Sequence, residues 1–306
     1  MSVVAPPVTT PHDPDAAARR AGLLLVAAAA ALWSTGGLIV RLLEVADLWT
    51  TVLWRSLFAA LFLLGFVVWR ERGRAADLFL NMGLPGLLVG ACFASGSICL
   101  VVALNLTSVA NTLIILATSP FVAAVLGRIW LGEQVRPRSW VAMTAALGGV
   151  AIMMSDSFAR GSIAGDLVAM TIPVTFSIAT VTIRRQRELR MAPATCIGAA
   201  LSALIALPLA APLAVTPADF GLLVLFGSLQ LGAGLALFTT GARLAPAAEV
   251  ALISVLEPIL GPLWVWVLLG EHPGTAALIG GSVVLSALVL HQLLDLRRAR
   301  PIPPAI

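Results

Sequence analysis

The chain of 306 residues is 59% hydrophobic and only 11% charged, and its mean hydropathy is +1.00. Soluble domains carry about 25% charged residues, so this composition excludes a water-exposed globular fold and indicates that lipid is the main solvent. All 19 basic residues are arginines dispersed between apolar runs, so the net charge of +4 does not indicate nucleic-acid binding.

Residues 1–20 are polar and contain prolines, which predicts a disordered N-terminus. Arg19 and Arg20 precede an Ala/Leu run and could also imitate a signal peptide, but the nine further apolar runs favour a retained first helix. Each run is long enough to cross a bilayer as a helix. The ten predicted spans are 22–40, 48–69, 80–103, 108–127, 139–155, 164–183, 193–214, 219–241, 247–269 and 274–294.

The arginines predict how these spans are oriented. Sixteen of them fall on the alternating segments that include both termini, and the other segments hold only Arg41 and Arg160, with Arg55 left inside span 2. Positively charged loops stay in the cytoplasm, so both termini, including the tail at 296–306, are predicted to be cytoplasmic.

The sequence repeats itself at an offset of 138 residues. Pro120 corresponds to Pro258, and the Leu-Gly-Glu ending at Glu133 corresponds to the one ending at Glu271. The unit holds five spans, and an odd number turns the second copy upside down in the membrane, an arrangement typical of transporters. We therefore predict an all-α integral membrane protein with ten transmembrane helices in two inverted five-helix repeats, residues 21–157 and 158–295.

These features resemble the drug/metabolite transporter superfamily, in particular its EamA-type members. The resemblance rests on the ten spans, the paired proline and Gly-Glu motifs, Gly165-Asp166 at the start of span 6 and Arg55 in span 2, and it covers residues 20 to 295. It implies a carrier in the bacterial inner membrane that exports amino acids or other metabolites. A multidrug or other-metabolite carrier of the same fold is the alternative.

Two charged residues inside the spans are candidates for substrate binding. Glu257 is near the middle of span 9, where an ionised carboxylate must be paired, hydrated or protonated. It either contacts a substrate ammonium or binds a proton, or it caps backbone groups at the Pro258 kink. Arg55 either binds a substrate carboxylate or forms a structural ion pair with Glu257 or Glu249, or its side chain reaches the outer interface.

Uncharged polar groups within the spans are further cavity candidates. Gln230 is difficult to satisfy within its own helix, whereas serine and threonine hydroxyls bond easily to their own backbone. Trp33 lies mid-span and could form a wall of the cavity or pack between helices. The remaining candidates are Ser97, Thr118, Ser119, Thr175, Ser177 and Ser254.

Four residues at repeat-related positions suggest moving parts. Pro120 and Pro258 are predicted kinks. Glu133 and Glu271 are either gates that pair with arginines on the same side of the membrane, Arg128, Arg136 and Arg138 being near Glu133, or caps of the next helix. Glu249, which corresponds to Asn111 of the first half, is predicted to be a solvated interfacial acid.

The sequence argues against a membrane-embedded transferase, the alternative from another class. It contains no zinc-protease, nucleotide-binding or catalytic-triad motif, and no catalytic residue, metal site or cofactor is predicted. The expected partners are a small neutral or zwitterionic substrate, the lipid bilayer and, if Glu257 titrates, protons. Nucleic acid is not expected, and no oligomer is implied.

Overall fold

The computed structural model describes residues 14–45, 47–71, 73–107, 109–155, 162–270 and 274–298, and all regular secondary structure in these ranges is helical. The first half contains α1 (Pro14–Ser34), α2 (Gly36–Leu42), α3 (Leu48–Glu71), α4 (Ala75–Asn81), α5 (Gly83–Leu106), α6 (Val109–Leu116), α7 (Ser119–Leu131) and α8 (Pro137–Met153). The second half contains α9 (Ile163–Arg185), α10 (Ala192–Ala206), α11 (Pro217–Leu225), α12 (Gly234–Ala242), α13 (Ala247–Ser254), α14 (Leu256–Leu269) and α15 (Thr275–Arg298). A 3₁₀ turn, Leu207–Leu209, follows α10, and a π-helical segment, Phe226–Ala233, joins α11 to α12.

Eight helical segments of the described chain are long and apolar enough to cross a membrane, and they coincide with predicted spans 1–4 and 6–9. Predicted span 5 coincides with α8, which has 17 residues, and predicted span 10 with α15, whose apolar part is Thr275–His291. The predicted all-helical membrane architecture is therefore confirmed. The full count of ten spans stays a prediction.

Two spans are broken at equivalent places. The break between α6 and α7 lies at Ala117 and Thr118, and the break between α13 and α14 lies at Val255. Pro120 and Pro258 follow directly, in the first turn of α7 and of α14, where a missing N–H costs no helical hydrogen bond.

Hydroxyl groups accompany these breaks and satisfy neighbouring backbone carbonyls. Thr118 Oγ1 donates to the carbonyl of Ile115 at 2.6 Å, and Ser254 Oγ donates to that of Val250 at 3.0 Å. Such side-chain bonds permit an interrupted helix within a membrane, because every backbone group there needs a partner.

The C-terminal ends of α7 and α14 also match. Each helix ends at a glycine in the left-handed conformation, Gly132 with φ of 67° and Gly270 with φ of 71°. Glycine adopts this conformation without a Cβ clash and commonly terminates helices. The repeat seen in the sequence therefore corresponds to repeated helix breaks and repeated helix ends.

Helices α8 and α15 pack on each other, while α5 packs on α9 and on α10, and α1 packs on α12, α13 and α14. Small residues permit the close α8–α15 approach: a Cβ added to Gly149 would lie 2.5 Å from Cγ2 of Val284. The middle of the bundle is surrounded by helices α1, α3, α5, α7, α9, α13 and α14.

Candidate functional site

A cavity of about 200 Å³ lies in the middle of the bundle. Its lining comes from both halves of the chain, including the π-helical segment and both broken helices. Eight of the ten cavity residues predicted from the sequence line it. They are Trp33, Arg55, Ser97, Ser119, Thr175, Gln230, Ser254 and Glu257.

Arg55 enters the cavity from α3. Its Nη2 donates to Ser97 Oγ at 3.1 Å, and its guanidinium carbon lies 5.3 Å from the centre of the Phe226 ring, a cation–π distance. Its buried Nε has no hydrogen-bond partner. The side chain is thus held in place on two sides and still has donor capacity.

Glu257 lies in the first turn of α14 and faces the same cavity. The two groups interact electrostatically, yet among the described residues no ion pair within 4.0 Å joins Glu257 to Arg55 or to another cation. Its carboxylate also makes no hydrogen bond to described backbone, which disfavours the capping alternative. Two opposite charges therefore face one space without neutralising each other by direct contact.

Gln230 connects the π-helical segment to the broken end of α1. Its Nε2 donates to the carbonyl of Trp33 at 2.8 Å, while its buried Oε1 has no hydrogen-bond partner. The buried indole Nε1 of Trp33 has none either, and its ring packs 5.3 Å from that of Phe238. One acceptor and one donor on residues of the cavity wall are therefore buried without a hydrogen-bond partner among the described residues.

The remaining hydroxyl candidates divide into two groups. Thr175 and Ser119 line the cavity. Thr175 donates to the carbonyl of Ile172 in its own helix at 3.1 Å, and Ser119 donates across the α6–α7 break to the carbonyl of Leu116 at 2.5 Å. Thr118 and Ser177 are outside the lining. Thr118 bonds within the α6–α7 break, and Ser177 Oγ donates to the carbonyl of Ser119 at 3.2 Å, which ties α9 to that break.

Sequence analysis missed most of the apolar lining. Phe93 and Leu100 flank Ser97 on α5, and Phe176 is adjacent to Thr175 on α9. The signal was available, because residues three or four positions from a cavity-facing residue share its helix face. Cys92 also lines the cavity and is 7% exposed, so the rate at which its thiol is labelled can report changes in access to the cavity.

Glu133 forms a cluster at the arginine-rich end of the bundle. Its Oε1 accepts from Arg184 Nε at 3.1 Å and its Oε2 from the backbone N–H of Ala247 at 3.2 Å. Arg184 also donates to the carbonyl of Arg243 at 2.8 Å. The partner thus comes from α9 and not from the sequence neighbours Arg128, Arg136 or Arg138. The equivalent Glu271 lies outside the described residues.

A second ion pair lies at the same end of the bundle. Arg19 of α1 binds both carboxylate oxygens of Glu249 of α13, at 2.9 and 2.7 Å, and Glu249 is only 9% exposed. The prediction of a solvated interfacial acid was wrong, because the sequence did not show which cation approaches from another helix. This pairing also removes Glu249 as a partner for Arg55.

At the opposite end of the bundle, a carboxylate is bound by uncharged hydrogen-bond donors. Asp166 at the start of α9 accepts from Thr107 Oγ1 at 2.7 Å and from Asn111 Nδ2 at 3.3 Å.

Within the described ranges, no group of three or more His, Cys, Asp or Glu side chains could hold a metal ion.

Comparisons with known proteins agree with a transporter. The chain is 26% identical over 212 residues to the uncharacterized transporter YwfM of Bacillus subtilis, covering 66% of this chain and 71% of that protein. It is 26% identical over 234 residues to the pseudopaline exporter CntI of Pseudomonas aeruginosa, covering 74% and 80%. One solved crystal structure superposes with a TM-score of 0.77 at 19% identity, over 89% of this chain and 98% of the other, which shows the fold alone.

The family assignment rests on two matches of one sequence profile. The profile of the EamA-like transporter family matches residues 20–155 and again residues 163–291, so two copies of the same unit together cover nearly all of the described chain. The chain therefore belongs to the EamA-like transporter family.

Proposed function

We propose that this protein is a secondary transporter that exports small zwitterionic or neutral metabolites, with amino acids as the first candidates, across the bacterial inner membrane. The observation that carries the proposal is the placement of Arg55 and Glu257 in one cavity without a direct ion pair. The coarser statement, a multi-pass membrane transporter and not an enzyme, follows from family membership.

The chemistry of the cavity supports a zwitterion. A guanidinium group binds a carboxylate through two parallel hydrogen bonds, and a carboxylate binds an ammonium group. Buried charges in a membrane are costly unless they are paired, so a ligand with both charges would relieve both residues at once. The volume of about 200 Å³ favours a small metabolite over a large drug.

Alternating access would follow from the two similar halves. We infer that ten spans form two inverted repeats, with both termini in the cytoplasm as the arginine distribution predicts. In this arrangement the contacts of Glu133 and Glu249 close the cytoplasmic end, and those of Asp166 close the opposite end. Export as the direction is supported by the name of the exporter among the relatives.

A carrier for other metabolites or drugs is the second candidate. The apolar part of the lining favours this alternative, since Phe93, Leu100 and Phe176 offer an apolar surface to uncharged ligands. This alternative differs from the first in what Arg55 and Glu257 do, because an uncharged ligand would not need them.

Counterflow in proteoliposomes tests the proposal. We expect saturable exchange of some labelled amino acids, and we expect at least tenfold weaker competition by the same amino acids with the carboxyl group amidated or the amino group acetylated. Protein-free vesicles are the control. Failure of every amino acid to exchange would remove the amino-acid proposal, and equal competition by the blocked forms would favour an uncharged substrate.

A further inference from the structure

A second, smaller cavity of about 40 Å³ lies at the arginine-rich end, away from the central cavity. We call it the basic pocket. It is formed where the C-terminal end of α3, the short helix α4, the N-terminal end of α10 and the C-terminal end of α12 meet. Its lining includes Arg70, Glu71, Arg190 and Arg243.

The pocket has an excess of positive charge. Three guanidinium groups, those of Arg70, Arg190 and Arg243, line it together with one carboxylate, that of Glu71. Glu71 pairs with Arg190 and lies 4.0 Å from Arg70. The other nearby acid, Glu188, is 90% exposed and sits beside Arg187 at 3.8 Å. One acid thus faces three bases inside the pocket.

The arginines are close enough to repel one another. Burial, followed by the positive charges of Arg190 and Arg70, lowers the pKa of Arg243, and only Glu188 opposes the effect. The Nε–H of Arg243 donates to the carbonyl of Arg187 at 2.8 Å, which leaves the two terminal nitrogens of Arg243 for the pocket. An anion in the pocket would relieve this repulsion.

The surroundings of the pocket match the edge of a bilayer. Trp69, which precedes Arg70, is 76% exposed, and Leu80 of α4 is 79% exposed. Exposed tryptophan beside arginine at a helix end is typical of the membrane interface, and basic pockets between helices at the cytoplasmic side receive lipid headgroups.

We propose that the basic pocket binds the phosphate group of an anionic ligand. The volume admits about three water-sized positions, enough for a phosphate and too little for a larger group. The arginines supply charge-assisted donors. Such a phosphate comes either from an anionic phospholipid, whose chains would lie along Trp69 and Leu80, or from a small soluble phosphate compound.

Binding of short-chain lipids to the purified protein tests this by native mass spectrometry. The probes are dioctanoyl phosphatidylglycerol, dioctanoyl phosphatidylcholine and inorganic phosphate. We expect phosphatidylglycerol to bind at least about tenfold more tightly than phosphatidylcholine. If inorganic phosphate binds as tightly as the lipid, the source is a soluble phosphate compound, and if it binds much more weakly, the source is the bilayer. Both outcomes support the pocket.

Variants locate the site and separate binding from misfolding. R70Q/R243Q should weaken phosphatidylglycerol binding about tenfold or more, R70K should retain most of it, and E71Q should strengthen it a few-fold because a negative charge leaves. R128Q, an exposed arginine at the same end, is the matched control. Equal binding of the two lipids by the native protein, or unchanged binding by a folded R70Q/R243Q, would overturn the proposal.

Discussion

The two ends of the helical bundle are held by related helix contacts with different chemistry. At the arginine-rich end, Glu249 of α13 binds Arg19 of α1. At the opposite end, Asn111 of α6, which precedes Glu249 by 138 residues, binds Asp166 of α9. Each pair joins the broken helix of one half to the first helix of the other half, so the contact is repeated while the charges are not.

The difference indicates that the two closures depend on different forces. The arginine-rich end has two ion pairs, Arg19–Glu249 and Arg184–Glu133, with side chains between 11% and 27% exposed. Removing one partner leaves a partly buried charge and is costly. The opposite end uses hydrogen bonds between one carboxylate and two neutral groups, which salt screens less than it screens pairs of opposite charges.

The cavity between the two ends should show the largest effects. R55Q and E257Q should each lower the exchange of zwitterionic amino acids about 10- to 100-fold, because each removes a charge-assisted contact worth about 1.5–3 kcal/mol. E257Q should also abolish any pH dependence of exchange. S282A, which changes an exposed hydroxyl that bonds within its own helix α15, should exchange at the native rate. If both charge variants exchange amino acids at the native rate, the cavity is not part of the transport path.

Weakening the arginine-rich end should expose the cavity to that side. R184Q leaves Glu133 with the backbone N–H of Ala247 alone, a loss of about 1 kcal/mol. We expect labelling of Cys92 by a membrane-impermeant maleimide from that side to become about fivefold faster. R185Q, an exposed neighbour, is the matched control and should label like the native protein. Equal acceleration in both variants would assign the effect to net charge.

Adding a charge at the opposite end should also speed access to the cavity, but from that side and by a smaller factor. N111D places a second carboxylate beside Asp166, and the repulsion should speed labelling of Cys92 from the arginine-poor side about two- to threefold. N111A removes the hydrogen bond without adding charge and should change the rate less. If N111D instead slows labelling from that side, Asp166 does not act in closing it.

The smallest effect concerns Asp47 in the loop before α3. Its carboxylate accepts from the hydroxyl and the backbone N–H of Thr50 and from the N–H of Trp49, and the Thr50 hydroxyl is the largest cause that lowers the Asp47 pKa. A lowered pKa stabilises the fold above the ordinary aspartate range, about 4, and this stability is lost as pH falls through the folded-state pKa.

We therefore expect D47N to lower the thermal midpoint at pH 7 by a few degrees, since an N-cap contributes about 1 kcal/mol. Between pH 7 and pH 3.5 the midpoint of the native protein should fall further than that of D47N, as followed by differential scanning fluorimetry. D77N, an exposed acid in the first turn of α4, serves as the control. Parallel pH curves for D47N and the native protein would mean that Asp47 carries no such stability.

The apolar runs and the positions of prolines in the sequence predicted much of this fold. The apolar runs located the helices, and the repeated prolines anticipated the breaks before Pro120 and Pro258. These features depend on local chain geometry, which the sequence encodes within a few residues. Polarity inside an apolar run located eight of the residues that line the cavity, because a polar side chain within a membrane span needs a reason to be there.

Partners across the bundle could not be predicted. Arg184 is 51 residues from Glu133, and Arg19 is 230 residues from Glu249, so only the packing of helices brings them together. The π-helical segment that carries Gln230 was also missed, because its sequence is as apolar as an ordinary helix. Hydroxyl candidates such as Thr118 and Ser177 failed to reach the cavity because rotation of a helix about its axis is set by packing.

Two-sided access to Cys92 is the most direct test of alternating access to the central cavity. The protein would carry Cys92 alone, with Cys99 and Cys196 replaced by alanine, in vesicles of known sidedness. We predict that an impermeant maleimide reaches Cys92 from each side in turn, and that a saturating transported amino acid slows both reactions. Labelling from one side only, at a rate that no amino acid changes, would contradict the account.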